Sequence, residues 1–160
     1  MKLLRHTALD DLAAKAAASP RKRAHLNLHE SPADPLQRFF VAANRDTYIR
    51  PHRHRTKLEL ALVVRGRFDI LMFDDAGTVT ARWTVGEGTD SIGYESSLMT
   101  WHSLVSRVDG AVFLEVKEGP YDPAVAAEFA DWAPAEGDPR ATACREWMRI
   151  AQPGDRFGVS

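Results

Sequence analysis

Residues 51–66 read Pro-His-Arg-His-Arg-Thr-Lys-Leu-Glu-Leu-Ala-Leu-Val-Val-Arg-Gly, and this stretch joins metal-binding residue types to the apolar run of a strand. His52 and His54 are two residues apart, so on a β-strand both imidazoles point to one face, with roughly 6–7 Å between their Cα atoms. Two imidazoles so placed can bind one ion. Glu59 is an odd number of residues from His54, and one continuous strand would aim it at the opposite face. We therefore predict a turn at residues 55–57 that sends the chain back beside itself, with Glu59 on the return strand.

The return strand and a later strand complete the predicted site. Residues 58–64 form a nearly unbroken apolar run, which suits a strand buried on both faces, and Gly66 would let the chain turn again. His102 opens a second strand-like run at residues 102–108. Three histidines and one glutamate form a donor set that suits Fe(II), Mn(II), Ni(II), Co(II) or Zn(II) better than Ca(II). The predicted ligands of one divalent transition metal are His52, His54, Glu59 and His102. The alternative is a metal-free barrel that uses the same residues for packing or for ligand hydrogen bonds.

The spacing His52-x-His54-x4-Glu59-x6-Gly66 resembles the first conserved motif of the cupin superfamily, and His102 resembles the histidine of its second motif. The resemblance implies an antiparallel double-sheet barrel with a metal inside it.

The second motif departs from the superfamily pattern, and a narrower likeness covers most of the chain. Ser97 and Met99 stand where cupins usually have Pro-x-Gly. Segments similar to the WbuC-type cupin metalloproteins lie at residues 25–31, 37–48, 117–123 and 151–155. That family is associated with bacterial surface-polysaccharide (O-antigen) gene clusters. The resemblance therefore implies a sugar or nucleotide-sugar ligand, and a homodimer formed through sheet edges.

Two residues beside the histidines are candidate substrate contacts. If residues 47–54 form one strand, Tyr48 and Arg50 share the face of His52 and His54. Arg50 would bind a carboxylate or phosphate oxygen, and Tyr48 a hydroxyl or a sugar face. The alternatives are an internal ion pair for Arg50 and packing at the barrel mouth for Tyr48.

Another polar alternation lies near the N-terminus. His25, Asn27 and His29 would share one face of a strand, as an additional metal or substrate surface or simply as the polar face of a sheet edge.

The remaining pattern predicts a mainly β fold. At least eight short strands with turn punctuation indicate a cupin-type antiparallel double-sheet barrel, or jelly roll, with short N- and C-terminal helices. Asp109-Gly110 predicts a type I′ hairpin joining residues 102–108 to 111–117. We expect residues 1–22 to form a helix and linker, 23–122 the barrel, and 123–160 a helical extension packed on it. Within the extension, residues 124–132 and 140–151 are predicted helices.

Composition limits the function classes. The chain has 160 residues, 44% hydrophobic and 27% charged, with a net charge of −1. These values indicate a globular domain and give no reason to expect a nucleic-acid partner. Cys144 is the single cysteine, which excludes an intrachain disulfide and is expected to be a packed thiol. No segment approaches the ~20 apolar residues of a membrane span, and no signal-peptide pattern follows the N-terminus. We expect a cytoplasmic protein without membrane insertion.

Two function classes stay open at this point. The first is a metal-dependent enzyme that transforms a small polar, sugar-like substrate, or a cupin-type iron dioxygenase. The second is a non-catalytic binding module with a structural metal.

Overall fold

The computed structural model describes residues 1–158, which form two antiparallel sheets of five strands each and two helices. One sheet has the strand order β1-β2-β9-β4-β7 and the other β10-β3-β8-β5-β6. The elements are α1 (His6–Ala18), β1 (Arg23–Asn27), β2 (Leu36–Ala43), β3 (His52–Arg53), β4 (Glu59–Arg65), β5 (Arg67–Phe73), β6 (Val79–Gly86), β7 (Gly93–Ser96), β8 (Trp101–Ser106), β9 (Ala111–Glu118), β10 (Glu128–Phe129) and α2 (Ala141–Ile150). The predicted mainly β double-sheet barrel with terminal helices is confirmed.

Three apolar clusters hold the layers together. The inner faces of the sheets meet around residues such as Val41, Phe68 and Phe113. Helix α1 buries Leu12 against the outer face of the first sheet. Helix α2 buries Met148 against the outer face of the second sheet. Among residues 1–158, no helix is long and apolar enough to cross a membrane.

The prediction that residues 58–64 are buried on both faces is wrong. Strand β4 alternates, with Glu59 and Ala61 buried and Leu60 and Val64 37% and 42% exposed. The reason is that α1 packs over β1, β2 and β9 and leaves the outer face of β4 uncovered.

The prediction of a hairpin at Asp109-Gly110 is also wrong, although the chain does turn there. Strands β8 and β9 lie in different sheets and pair with other strands. The turn is instead a corner between the layers. Asp109 Oδ1 accepts a hydrogen bond from Arg45 N at 2.8 Å, and Gly110 N donates to Asn44 Oδ1 at 2.9 Å. These contacts to the end of β2 carry the chain from one layer to the other.

Two further segment predictions need correction. The strand expected over residues 47–54 is reduced to β3, because Pro51 has no N–H for a ladder and the carbonyls of Ile49 and Arg50 accept side-chain hydrogen bonds. The helix expected over residues 124–132 is absent from the described chain, and this segment contributes β10, which pairs with β3. The predicted helix at 140–151 is present as α2.

Met99, which stands where cupins usually have glycine, has a left-handed backbone with φ of 62°. Its N–H donates to His54 O at 2.8 Å, which fixes the loop between β7 and β8. A left-handed L-residue costs about 1–2 kcal/mol, whereas glycine adopts this region freely. The side chain is 46% exposed, so it contributes little burial.

We therefore expect Met99→Gly to raise the free energy of unfolding by about 0.5–1 kcal/mol, after the entropy gained by the unfolded chain is subtracted. Urea denaturation measures this difference. Leu98→Gly is the control, because Leu98 is 45% exposed and lacks a positive φ. That control should lose stability, and an equal loss in Met99→Gly would contradict the prediction.

Candidate metal centre

The four predicted metal ligands converge between the two sheets. His52 lies on β3 and His102 on β8, and these residues are directly opposite each other in the ladder. His54 follows β3, and Glu59 begins β4 in the facing sheet. The expectation that Glu59 returns beside the histidine strand is wrong, since β3 and β4 do not pair. The turn at residues 55–57 instead carries the chain across the barrel, so Glu59 approaches the imidazoles from the opposite wall.

Backbone carbonyls orient all three imidazoles in the same way. The Nδ1 atoms of His52, His54 and His102 lie 2.9, 2.7 and 2.9 Å from carbonyl oxygens. Those oxygens belong to Arg50, Ala126 and Thr100 respectively. A carbonyl only accepts, so each Nδ1 carries the hydrogen, and each Nε2 offers an electron pair when its imidazole is neutral. His54 Nε2 lies 2.8 Å from Glu59 Oε2. Metal-ligating histidines are typically held by such outer contacts.

The donor set fits a divalent ion. One donor atom from each of the four side chains lies within 4.8 Å of all the others. Two donors on one ion lie at most about 4 Å apart, since each ligand bond is about 2.0–2.2 Å, so a small contraction of the cluster would bring all four donors onto one ion. His102 Nε2 is buried without a hydrogen-bond partner in the described chain and lies 3.7 Å from Glu59 Oε1. A buried nitrogen lone pair left unpaired is costly, and a bound ion would satisfy it.

Burial and neighbouring groups keep the Glu59 carboxylate charged and the His52 imidazole neutral. Burial would raise the pKa of Glu59, but the adjacent imidazoles of His102 and His54 lower it well below its usual range. Burial, together with the nearby His102, lowers the pKa of His52 to about 3. Burial would also lower the pKa of His102, but the Glu59 carboxylate outweighs it and raises that pKa. His102 is therefore the ligand for which protons compete most strongly.

This assignment predicts how metal binding depends on pH. An ion that binds below the raised pKa of His102 must displace the proton there, whereas His52 is already neutral. We expect affinity to fall about tenfold per pH unit as the pH drops through and below that pKa, with release of about one proton per ion. Calorimetric titration of the apo-protein with Zn²⁺, in buffers of different ionisation enthalpy, measures the proton count. A count that stays at zero in acid would contradict the prediction.

Three polar residues beside Glu59 were missed by sequence reasoning. Tyr94 donates its hydroxyl to Glu59 Oε1 at 3.0 Å. Lys117 Nζ lies 3.6 Å from Glu59 Oε2 and also pairs with Glu115. Burial and the Glu59 charge raise the pKa values of both Tyr94 and Glu115. The signal was present in β9, where Glu115 and Lys117 share the inward face of Phe113, and an inward charged pair on a buried strand is unusual.

A cavity of about 180 Å³ opens beside the metal ligands. Arg50 lines it, with its guanidinium donating to Ala130 O at 2.7 Å and lying 5.4 Å from the centre of the Phe129 ring. Tyr48 is not among the described residues that line this cavity. Its hydroxyl donates to Pro134 O at 2.8 Å, within the cluster under α2. The structure thus brings Arg50 to the metal ligands and does not bring Tyr48 there, because the chain before Pro51 is not a continuous strand.

The C-terminal extension forms one wall of the cavity. Phe129 on β10 pairs with His52, and Ala126 supplies the carbonyl that orients His54. Glu128 is bound by the guanidinium groups of Arg53 and Arg55, with Nε to Oε2 distances of 2.8 and 2.7 Å. These hydrogen bonds lower the pKa of Glu128 to about 2. The pairing of β10 with β3 and the hydrogen bonds of Glu128 to Arg53 and Arg55 therefore attach the extension to the histidine segment.

Comparison with solved structures identifies the fold as a cupin-type barrel. A cupin 2 domain-containing protein from Halorhodospira halophila is 16% identical, with a TM-score of 0.53 over 83% of this chain and 85% of that one. The capsular polysaccharide assembling protein CapF from Staphylococcus aureus is 18% identical, with a TM-score of 0.57 over 69% of this chain and 30% of that one. KdgF from Halomonas sp. is 16% identical, with a TM-score of 0.51 over 66% of this chain and 86% of that one. At these identities the likeness is one of fold.

The chain belongs to the family described as a domain of unknown function (DUF6016), whose model matches residues 4–85. A search of curated proteins found no match.

Proposed function

We propose that this protein is a metal-binding cupin that binds an anionic sugar derivative, and acts on it, in bacterial polysaccharide biosynthesis. One divalent ion would be held by His52, His54, Glu59 and His102. The observation that carries the proposal is the convergence of these four donors with every Nδ1 tied to a backbone carbonyl. Packing alone does not require three imidazoles to direct their second ring nitrogens towards one point.

An unpaired donor in the cavity supports an anionic ligand. Arg50 makes no salt bridge within residues 1–158, and its buried Nε has no hydrogen-bond partner there. A guanidinium with a free donor suits a carboxylate or phosphate oxygen. A bound ion would add Lewis-acid polarisation of a ligand carbonyl or hydroxyl. We propose Arg50 as the residue that orients the ligand beside it. For Tyr48 we propose a supporting role through Pro134, since its hydroxyl is occupied.

The sugar assignment rests on the sequence resemblance to WbuC-type cupins. The matching segments include residues 25–31 and 117–123, whose first residues, His25 and Lys117, line the metal cavity. The capsular polysaccharide assembling protein CapF shares the fold, and its role in capsule assembly is a property of that protein.

We also propose that the protein forms a homodimer. Strand β7 is an edge of its sheet, and Leu60, Val64 and Ile92 are exposed on or beside the uncovered face of β4. A second copy would cover this edge and face. Light scattering of the wild type and of Ile92→Glu tests this, because Ile92 is 71% exposed and its substitution leaves the backbone pairing intact. A monomeric wild type would overturn the dimer.

The function is tested on protein with its metal content first measured by elemental analysis and anomalous scattering. We expect about one transition-metal ion per chain. The loaded protein is then titrated with a panel of sugar phosphates and nucleotide-sugars, while product formation and O₂ uptake are followed for several metal forms. Turnover identifies an enzyme, and O₂ uptake with the iron form identifies a dioxygenase. Saturable binding without turnover identifies the binding module.

The Arg50→Gln variant tests the anion contact. We expect it to weaken ligand binding about 10–100-fold, since a hydrogen bond to a charged group contributes about 1.5–3 kcal/mol. Arg38→Gln is the matched control, because Arg38 is exposed and lies outside both the metal cavity and its ligands. Equal affinities for the two variants would remove Arg50 from the site, and absence of metal would overturn the proposed function.

A further inference from the structure

A second cavity adjoins the metal cavity on the inner face of the first sheet. Its volume is about 370 Å³, against about 180 Å³ beside the metal ligands. Small-molecule sites are typically about 300–1,000 Å³, so the metal cavity alone is too small for a ligand of nucleotide-sugar size. The two cavities share His25, Glu115 and Lys117 as lining residues. One elongated ligand can therefore occupy both.

Apart from the Glu115 and Lys117 pair, the second cavity is lined by hydrogen-bonding groups that include both donors and acceptors. Asn27 makes no side-chain hydrogen bond within residues 1–158, so its amide is free to donate and accept. His29 Nδ1 lies 3.0 Å from Arg38 N, which leaves Nε2 for another partner. Gln37 is only 3% exposed and donates to Asp34 O at 2.8 Å, which fixes the amide with its oxygen available. Sugar hydroxyls both donate and accept, and they match this set.

Aromatic rings complete the lining. Phe39 and Tyr121 border the cavity, and the His25 ring packs on Phe39 with a centroid distance of 5.5 Å. Such surfaces suit the C–H face of a sugar ring. Lys117 and Glu115 form an ion pair with each other, so neither requires a charge on the ligand.

A second metal is a poorer occupant. Within residues 1–158, the one cluster with metal-ligand geometry contains neither His25 nor His29. The alternation of His25, Asn27 and His29 therefore favours the substrate surface over the additional metal site.

We infer that the second cavity binds the neutral sugar ring of the ligand whose anionic group lies beside Arg50 and the metal ligands. The inference rests on the proposed function and extends it, since it assigns the uncharged part of the ligand to Asn27, His29, Gln37, Phe39 and Tyr121. The ligand class is thus a glycosyl phosphate or a larger glycosyl anion.

The test compares inorganic phosphate with the 1-phosphates of glucose, galactose, mannose and N-acetylglucosamine on the metal-loaded protein. We expect at least one hexose 1-phosphate to bind about tenfold more tightly than phosphate, the effect of about 1.4 kcal/mol of added contacts. Asn27→Leu should abolish this advantage while phosphate affinity and metal stoichiometry stay unchanged. Gln152→Leu changes an exposed amide that follows α2 and lies outside the second cavity, so this control should keep the advantage.

A site-resolved measurement separates failure of this inference from failure of the proposed function. In chelated protein, neutral methyl hexosides should shift the side-chain amide resonances of Asn27 and Gln37 but not that of Gln152. If these shifts occur but phosphate does not bind, the proposal of an anionic ligand would be rejected and the proposal of a sugar-binding cavity would stand. Phosphate binding with no hexose advantage and no amide shifts would overturn the sugar cavity alone.

Discussion

His52→Ala is expected to remove most of the bound metal. Its imidazole lies opposite His102 in the ladder. Its Nδ1 is held by the carbonyl oxygen of Arg50 at 2.9 Å, so the ring has a fixed position that no flexible neighbouring side chain takes over. Loss of an outer-shell partner alone costs about 10–100-fold in metal affinity, and loss of a ligand should cost at least as much. Elemental analysis after dialysis against a weak chelator gives the stoichiometry.

The matched control for this experiment is His6→Ala, which removes an exposed histidine at the start of α1. It should retain the wild-type metal content. Full stoichiometry in His52→Ala would remove this residue from the ligand set. Circular dichroism of the apo-proteins checks that the barrel persists, and melting temperatures with and without chelator show how far the ion also stabilises the fold.

Gly66→Ala should destabilise the fold more than Gly88→Ala. Gly66 forms the corner between β4 and β5 with φ of 71°. A Cβ there would lie 2.7 Å from Val108 Cγ2 and 3.0 Å from the Ala111 Cβ. Left-handed strain of about 1–2 kcal/mol adds to about 1–3 kcal/mol of overpacking, so we expect a loss of about 2–4 kcal/mol. Urea denaturation with linear extrapolation measures it.

Gly88→Ala separates the two causes. Gly88 has nearly the same φ, 74°, but a Cβ there meets nothing within 4 Å. That variant should lose only the strain, about 1–2 kcal/mol. The double variant Gly66→Ala with Val108→Ala should recover part of the overpacking term relative to the two single changes. Equal losses in Gly66→Ala and Gly88→Ala would show that crowding at the corner is unimportant.

Local turn residues predict where the chain turns, but not which strands pair on either side of the turn. Asp109-Gly110 has the local chemistry of a hairpin, yet it joins strands of different sheets. Turn residues report the backbone angles at one point. Whether the following strand pairs with the preceding one depends on competing partners, and β2, β4 and β5 are the partners chosen here. Residues 55–57 are a second instance, since the turn exists but crosses the barrel.

The charged residues around the metal centre show the same limit. Glu115 and Lys117 are separated from Glu59 by more than fifty positions in the sequence, and only the pairing of β4 with β9 places Lys117 opposite Glu59. Phe129 and Ala126 were assigned to a helix, and their contacts with the histidines depend on β10 joining β3. Arg50 reaches the cavity although the strand that was expected to aim it there does not form.

Residue type and spacing alone were sufficient to predict which four side chains cluster, and to predict the class of fold. His52, His54, Glu59 and His102 have the donor chemistry of one ion, and period-two patterns with frequent turns require a layered β structure. Long-range strand pairing decided which wall each ligand occupies, which polar groups surround Glu59, and that the extension closes the cavity. Such pairing depends on contacts between distant segments, and local sequence carries no direct record of them.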